Sequence, residues 1–349
     1  MLDDDILTPD LLGDWRDDEL AARIVAMPKA EIHVHIEGAM TPETVWSLGQ
    51  RNKVALPAKS LEEWRTFYAF RDFQHFIEVY LAAAEVLREP EDYAQMVEDF
   101  CAHQALQNIS YSEAFLSASL HVERLPTDEF WDAVFTGLRA GEQKHGVRVA
   151  LIPDISREFP ETRSKVLDLT LEGRERGPVI GFGIGGPEAM NPASAFQDVF
   201  REAKDQGLHT VAHAGEADGA DSVANALDLL LAERIGHGVR ALEDPNVVAR
   251  LRDAQVPLEV CPTSNYRTGA AASGAPHPIA QLRQEGVLCT LNSDDPPMFG
   301  TSLVGEYLLM ARQGFEWSDL KALNEATWRA SFLSDAEKDE ALGKLSSLS

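Results

Sequence analysis

Residues 30–38 read Ala30-Glu31-Ile32-His33-Val34-His35-Ile36-Glu37-Gly38, and this stretch decides the fold. Apolar residues alternate with the two histidines, which is the period-2 pattern of a β-strand whose alternate side chains share one face. Two imidazoles about 7 Å apart on one face can converge on a metal ion where a strand ends. Because many His-x-His pairs bind no metal, the interpretation depends on whether other strands supply further ligands.

The composition is typical of a globular protein with a large core. The chain has 349 residues, of which 44% are hydrophobic and 25% charged. Its 57 acidic and 31 basic residues give a formal net charge of −26. Such an acidic surface repels phosphate backbones and anionic lipid, so we expect neither nucleic acid nor a membrane as partner. A small nucleobase or nucleoside in a pocket remains compatible with this charge.

The cysteines and the N-terminus indicate a reducing compartment. Cys101, Cys261 and Cys289 are far apart and form no C-x-x-C motif, so we expect buried, reduced thiols. The first residues, 1–5, are acidic where a signal peptide would be basic, and no run of about 18 apolar residues follows. We therefore expect a cytoplasmic protein. The sequence leaves its oligomeric state open.

Eight short, largely apolar runs predict strands that are buried on both faces. After the opening strand they lie at 109–117, 147–152, 179–184, 209–213, 234–237, 257–261 and 287–291. Stretches with helical periodicity separate them, at 130–144, 162–174, 195–205, 222–231, 246–254 and 278–284, and others follow at 302–312, 319–331 and 335–345. This alternation predicts an α/β fold, a (β/α)8 TIM-type barrel formed by residues 1–349 as one catalytic domain. A doubly wound open sheet is the alternative, but no G-x-G-x-x-G motif follows any strand.

The first gap between strands is the longest, and it predicts a helical insertion over residues 39–108. Within it Phe70, Phe73, Ile77 and Tyr80 recur at helical spacing. They suit either a helix packed on the barrel or an apolar wall or lid over its mouth. Before the first strand, residues 1–28 form an acidic lead-in, with a helix expected over 14–26.

Polar residues cluster where the predicted strands end, which is where barrels of this kind carry their chemistry. The candidates are His33, His35 and Glu37 after strand one, His213 and Glu216 after strand five, His237 after strand six, and Asp294 and Asp295 after strand eight. Singly, each suits a core histidine or a helix cap. Together they include three imidazoles and a carboxylate, which is the ligand set of a catalytic zinc or iron. A nearby carboxyl group such as Glu216 suits general acid–base catalysis, so the pattern predicts metal-assisted hydrolysis.

Five motifs in this order resemble those of the adenosine deaminase family, a mononuclear branch of the amidohydrolase barrels. They occupy residues 29–38, 213–216, 234–238, 261–265 and 292–296. The resemblance implies one zinc ion per chain, held by His33, His35, His213 and Asp294. It also implies catalytic roles for Glu216, which protonates purine N1, for His237, which orients the attacking hydroxide, and for Asp295, which binds N7. The backbone of Gly186 would meet N3, and Ser117 would line the pocket.

Two motifs that are absent from the sequence exclude two related kinds of metal site. Strand four ends in residues 183–186 without the bridging lysine of binuclear relatives. The zinc site of cytidine deaminases needs H-x-E with P-C-x-x-C, whereas Cys261 precedes Pro262 here and no second cysteine follows. A barrel that binds metal without catalysis, and an amidohydrolase acting on a non-purine ring, are the competing interpretations.

Glu37 departs from the family pattern, because typical adenosine deaminases place aspartate there to bind the ribose 5′-hydroxyl. The longer side chain indicates a different substrate at this end of the pocket. We expect an adenine-type small molecule as substrate, in the first place an adenine nucleoside with an altered 5′ group. Such substrates are aminodeoxyfutalosine, methylthioadenosine or S-adenosylhomocysteine. Adenosine itself and free adenine are the alternatives.

Overall fold

A computed structural model describes residues 19–346, and its centre is a barrel of eight parallel strands. The strands are β1 Lys29–His35, β2 Ile109–Leu116, β3 Arg148–Ser156, β4 Gly181–Gly185, β5 His209–Ala214, β6 Arg234–His237, β7 Leu258–Val260 and β8 Cys289–Leu291. Each strand pairs with the next in chain order. The barrel closes through a parallel bridge between Val34 and Asp294. The predicted (β/α)8 fold is confirmed.

Helices surround this barrel and fill the long gap after β1. Before β1 and within the gap lie α1 Glu19–Ala26, α2 Pro42–Asn52, α3 Leu61–Tyr68, α4 Phe73–Glu85 and α5 Pro90–Leu106. Between the later strands lie α6 Thr127–His145, α7 Arg163–Arg176, α8 Gln197–Asp205, α9 Ala220–Leu229, α10 Pro245–Ala254, α11 Pro262–Thr268 and α12 Ile279–Gln284. The chain continues through α13 Pro296–Phe299, α14 Leu303–Arg312, α15 Trp317–Ala330 and α16 Asp335–Ser346. Across residues 19–346, no helix combines the length and apolar character needed to span a bilayer.

The opening strand does not keep a strict period of two. Between Glu31 and Val34 it has one residue more than β2, a β-bulge that re-aims side chains. At the bulge the amide of Ile32 donates to the Asn292 side chain rather than to a neighbouring strand (3.1 Å). Glu31 consequently reaches the side chain of Gln104 on α5 (2.7 Å), while His33 lies inside the barrel.

The boundaries of most helices and strands differ from the sequence-based prediction by a few residues. β4 begins at Gly181 rather than at 179, because Val179 forms only an isolated bridge with Leu151. β3 is longer than predicted and ends at Ser156. In the lead-in, α1 covers residues 19–26 of the expected helix, and residues 14–18 lie outside the described residues. All three cysteines are buried and free, as predicted.

Helices α5 and α6 pack unusually closely, because glycines on α6 face α5. A Cβ atom added at Gly137 would lie 2.5 Å from the Ala94 carbonyl oxygen and 2.7 Å from Val97 Cβ. One turn later, a Cβ at Gly141 would lie 2.4 Å from the sulfur of Cys101. Any larger side chain must therefore push the two helices apart.

We predict that Gly137→Ala lowers the free energy of unfolding by about 1–3 kcal/mol, the usual cost of overpacking a well-packed core. Gly343→Ala is the matched control, since Gly343 is also helical and a Cβ there meets nothing within 4 Å. That control should gain about 0.5–1 kcal/mol from helix propensity. Urea denaturation of the wild type and of the two variants measures both changes in the free energy of unfolding. Equal effects of the two substitutions would show that helix packing at Gly137 is not tight.

Candidate active site

Four of the predicted ligands converge at the mouth of the barrel. The Nε2 atoms of His35 and His213 are 3.1 Å apart. The Nε2 atoms of His33 and His35 each lie 3.5 Å from Oδ1 of Asp294. All four side chains are buried. Ring nitrogens and a carboxylate oxygen at these separations surround a space of the size that a metal ion fills.

Hydrogen bonds from the outer ring nitrogens orient two of these imidazoles. His33 Nδ1 lies 2.8 Å from Oε2 of Glu259, and His213 Nδ1 lies 2.9 Å from the carbonyl oxygen of Ile184. Both partners accept, so the network assigns the proton to Nδ1 of each ring. The Nε2 lone pairs therefore point into the cluster. The Nε2 atom of His33 is buried without a hydrogen-bond partner, as expected of a metal-ligating atom.

His237 also lies at this cluster, but its hydrogen bonds give it a different chemistry. Donor atoms of His33, His213, His237 and Asp294 all lie within 4.8 Å of one another. However, the side-chain amide of Asn265 donates to His237 Nδ1 (3.1 Å), which puts the ring proton on Nε2. That Nε2–H faces Glu216 Oε2 at 3.6 Å and Asp294 Oδ2 at 3.9 Å. His237 is thus arranged to donate a hydrogen bond rather than to ligate a metal.

A further histidine fixes the amide of Asn265. The amide of Ile279 donates to His277 Nδ1 (3.2 Å), so His277 carries its proton on Nε2 and donates to Asn265 Oδ1 (3.2 Å). With its oxygen engaged in this way, Asn265 presents its NH2 group to His237. His277 had no predicted role, and nothing in its sequence context marks one.

Burial and charge set the protonation of the imidazoles. Burial lowers the pKa of His35 to about 4 and that of His237 to about 3, and it lowers the pKa of His213 well below its usual range. For His33 burial acts in the same direction, but the adjoining Asp294 and Glu259 outweigh it and raise the pKa to about 9. Three rings are therefore neutral at pH 7, the form that ligates metal, whereas at His33 a metal ion would have to displace a proton from Nε2.

Two residues of the same cluster have a strained backbone. His237 and Asp294 have φ values of 60° and 66°, in the left-handed region that residues other than glycine rarely adopt. Such conformations cost about 1–3 kcal/mol each and persist where the surrounding structure imposes them. Their position at the ends of β6 and β8 aims both side chains into the barrel mouth.

Glu216 lies on a loop that a second glutamate holds in place. The carboxylate of Glu188, which is 3% exposed, accepts hydrogen bonds from the amides of Gly215 (2.8 Å), Glu216 (2.9 Å) and Ala217 (2.7 Å). Burial, together with the negative charge of Asp294, raises the pKa of Glu216 to about 8. A carboxyl group that keeps its proton at neutral pH can act as a general acid.

Asp295 is likewise buried, and its Oδ1 atom has no hydrogen-bond partner among the described residues. Burial and the adjacent charge of Asp294 raise the pKa of Asp295 well above its usual range. Gly38 makes room for this carboxyl, since a Cβ at that position would lie 1.6 Å from Asp295 Oδ1. Glycine after the opening strand is therefore required by the site.

These groups open onto a cavity at the mouth of the barrel. Aromatic and aliphatic side chains of α4 form one wall, including Phe73, Phe76, Ile77 and Tyr80. The cavity is also lined by Ser117, Gly186, His213, Glu216, His237, Asp294 and Asp295. The structure thus brings the predicted catalytic residues, Ser117 and Gly186 to one pocket, and the insertion after β1 contributes its wall.

Glu37 is placed differently from the expectation that it contacts substrate. Its carboxylate is fully buried and accepts hydrogen bonds from the Ser117 amide (2.9 Å) and from His121 Nε2 (2.8 Å). His121 is oriented in turn by the hydroxyl of Tyr93, 3.1 Å from its Nδ1. The hydroxyl of Tyr80 bonds to Ser117 Oγ (2.8 Å) and lies 3.5 Å from Glu37 Oε2. Glu37 therefore lies outside the cavity lining, with Oε1 accepting two hydrogen bonds and Oε2 facing the Tyr80 hydroxyl.

Several site residues were not predicted from the sequence. Glu188 and Glu259 act on the site through hydrogen bonds to residues 27 and 226 positions away. Asp154 lines the cavity from the end of β3. Its position at the end of a predicted barrel strand was the one signal that could have found it. No comparable signal marks Glu188, which lies in a loop.

Comparisons with known proteins agree with this site. The family "Adenosine deaminase" matches residues 28–347. An adenine deaminase of Cupriavidus necator is 37% identical over 332 residues, covering 94% of each chain. An adenine deaminase of Geotalea uraniireducens is 35% identical over 326 residues, covering 92% of this chain and 91% of the relative.

Solved structures lead to the same family. The crystal structure of adenine deaminase from Arthrobacter aurescens superposes with a TM-score of 0.86 at 34% identity, covering 92% of this chain and 98% of that one. An amidohydrolase from Burkholderia ambifaria with bound zinc has a TM-score of 0.85 at 26% identity, covering 93% and 91% of the two chains. The chain therefore belongs to the adenosine deaminase family of metal-dependent hydrolytic deaminases.

Proposed function

We propose that this protein hydrolyses free adenine to hypoxanthine and ammonia, using one zinc ion. The observation that carries the choice of substrate is the placement of Glu37. The Glu37 carboxylate is fully buried, its Oε1 atom accepts from Ser117 and His121, and Glu37 is absent from the residues that line the cavity, so it does not face a nucleoside's 5′ group. The related proteins from Cupriavidus and Arthrobacter are adenine deaminases. This supports free adenine as the substrate over the 5′-modified nucleosides that the glutamate at position 37 suggested in the sequence.

We assign the metal to His33, His35, His213 and Asp294. The unpartnered Nε2 atom of His33 and the neutral rings of His35 and His213 fit this role. Three nitrogen ligands and one oxygen ligand suit zinc, and the relative from Burkholderia contains bound zinc. Zinc in this position would supply a Lewis acid that lowers the pKa of a water molecule to about 7.

The protein's own residues then position the purine and move protons. Glu216, protonated at neutral pH, donates to N1 of the ring and makes C6 more electrophilic. The Nε2–H of His237 donates to the attacking oxygen and keeps it in line with C6. Asp295, also protonated, donates to N7, and the amide of Gly186 donates to N3. The apolar wall formed by α4 excludes bulk water from the ring.

Two substitutions separate catalysis from metal binding. Glu216→Gln should keep its zinc and lose about 10²- to 10⁴-fold in kcat, the usual contribution of general acid–base catalysis. His213→Ala should lose the zinc. His209→Ala is the matched control, since His209 lies on the same strand but pairs with Glu233 (3.0 Å) away from the site. Elemental analysis of each protein and steady-state kinetics provide the two readouts. Loss of metal in Glu216→Gln would contradict the assigned roles.

A substrate panel tests the reaction itself. We expect adenine to have the highest kcat/KM among adenine, adenosine, methylthioadenosine and aminodeoxyfutalosine, because Glu37 bonds to Ser117 and Tyr80 and does not line the cavity where a 5′ group would lie. Release of ammonia and the change in ultraviolet absorbance measure turnover. A nucleoside turned over faster than adenine would refute the proposed substrate.

A further inference from the structure

Asp154 is a buried acid on the cavity wall that the proposed mechanism does not use. It ends β3, is 2% exposed, and its Oδ1 atom has no hydrogen-bond partner among the described residues. Within the cavity lining, only His35 and Asp295 share this property in the part of the chain that is described. Leaving a buried polar atom unsatisfied is costly. The unpartnered atom of His35 is Nδ1 rather than the Nε2 assigned to the metal, and Asp295 is assigned to N7. Asp154 is therefore the remaining carboxyl group of the lining whose partner a ligand would supply.

The neighbouring strand is shaped to leave the Asp154 side chain open to the cavity. Residues 183 and 185 of β4 are both glycines. A Cβ at Gly183 would lie 2.9 Å from the Cβ of Asp154, and one at Gly185 would lie 3.2 Å from its Oδ2. Gly185 and Gly186 line the cavity beside Asp154 and Ser117. Side chains at these positions would crowd the carboxyl group.

Asp154 also differs from the metal-binding groups. The described clusters of converging ligand atoms contain His33, His213, His237 and Asp294, or His35, Asp294 and Asp295, and Asp154 belongs to neither. Its carboxyl group is therefore available to an organic ligand in the pocket.

One polar atom of adenine has no protein partner in the proposed mechanism, and the Asp154 carboxyl group suits it. In the proposed mechanism Glu216 meets N1, Asp295 donates to N7, and the amide of Gly186 donates to N3. A base that accepts at N7 and N3 carries its hydrogen on N9, so N9–H needs an acceptor. N9 and N3 share one edge of the purine, and Asp154 lines the cavity together with Gly186.

We propose that the Asp154 carboxyl accepts a hydrogen bond from N9–H of the free base and thereby selects against purines substituted at N9. This inference rests on the proposed function, and it names a selectivity residue for that reaction. Burial and the negative charge of Glu37 raise the pKa of Asp154 well above its usual range. The uncharged carboxyl still offers a carbonyl oxygen as acceptor.

The test compares wild type, Asp154→Ala and Asp154→Asn on adenine and on 9-methyladenine. Wild type should strongly prefer adenine. Asp154→Ala should lose about 10- to 100-fold in kcat/KM for adenine, the effect of removing a buried hydrogen-bond acceptor, with no loss for 9-methyladenine, which lacks the N9–H. Asp154→Asn should retain most of the adenine activity, because its amide oxygen still accepts. If a protein does not turn over 9-methyladenine, the binding of 9-methyladenine is measured through its competitive inhibition of adenine turnover.

Ser156→Ala is the matched control, because Ser156 also lines the cavity but donates to Glu158 (2.5 Å). Ser156→Ala should leave the ratio of kcat/KM for adenine to kcat/KM for 9-methyladenine unchanged. Zinc content and melting temperature are measured for each variant. Equal losses of Asp154→Ala on both purines, or unchanged adenine activity, would overturn the inference while the proposed function stands. A wild type inactive on adenine would overturn both.

Discussion

The burial of charge around Asp294 is the constraint on which the site depends. Asp294 lies with four imidazoles and with Glu216 and Asp295 in a region from which water is largely excluded. Carboxylates and imidazoles removed from water are costly unless they are paired or bound to a cation. Burial alone would raise the pKa of Asp294, but the imidazoles around it, first of all the hydrogen bond with His33, hold that pKa well below its usual range, so Asp294 remains charged. The divalent cation proposed for this point would offset the cost of burying these groups.

Several local features of the chain follow from this constraint. The bulge in β1 lets His33 face inward while Glu31 reaches outward to α5. Gly38 leaves space for Asp295, and the left-handed backbone of Asp294 brings its carbonyl and amide groups into the bridge that closes the barrel. The residues that hold the site are thus also the residues that join the first and last strands.

The site is also tied to the opposite end of the barrel. Glu259, which orients His33, accepts from Arg234 Nε (2.6 Å). Arg234 pairs with Glu113 and lies over the ring of Phe332, 3.8 Å from its centroid. Glu113 accepts from the Phe332 amide (2.6 Å), so the segment after α15 closes the barrel floor. A buried chain of charges therefore links the C-terminal region to a proposed metal ligand, and breaking one partner would leave the next unpaired.

The alternation of short apolar runs with helical stretches was sufficient to predict the barrel, because parallel strands buried on both faces have a distinctive pattern. Convergence of His33, His213, His237 and Asp294 could also be predicted, since the ends of barrel strands meet at one rim. The environment of Glu37 could not, because it depends on Ser117 and His121, about 80 residues away. The bulge in β1 and the strained backbone at His237 likewise leave no periodic signal.

The most direct measurement is the coordination of the metal in the purified protein, by anomalous diffraction at the zinc edge. We expect one ion per chain, ligated by Nε2 of His33, His35 and His213 and by a carboxylate oxygen of Asp294. His237 should approach the bound water through Nε2–H without ligating the ion, because Asn265 holds its proton there. An ion ligated by His237 in place of His35, or no ion at this cluster, would contradict the charge-burial argument and the assignment built on it.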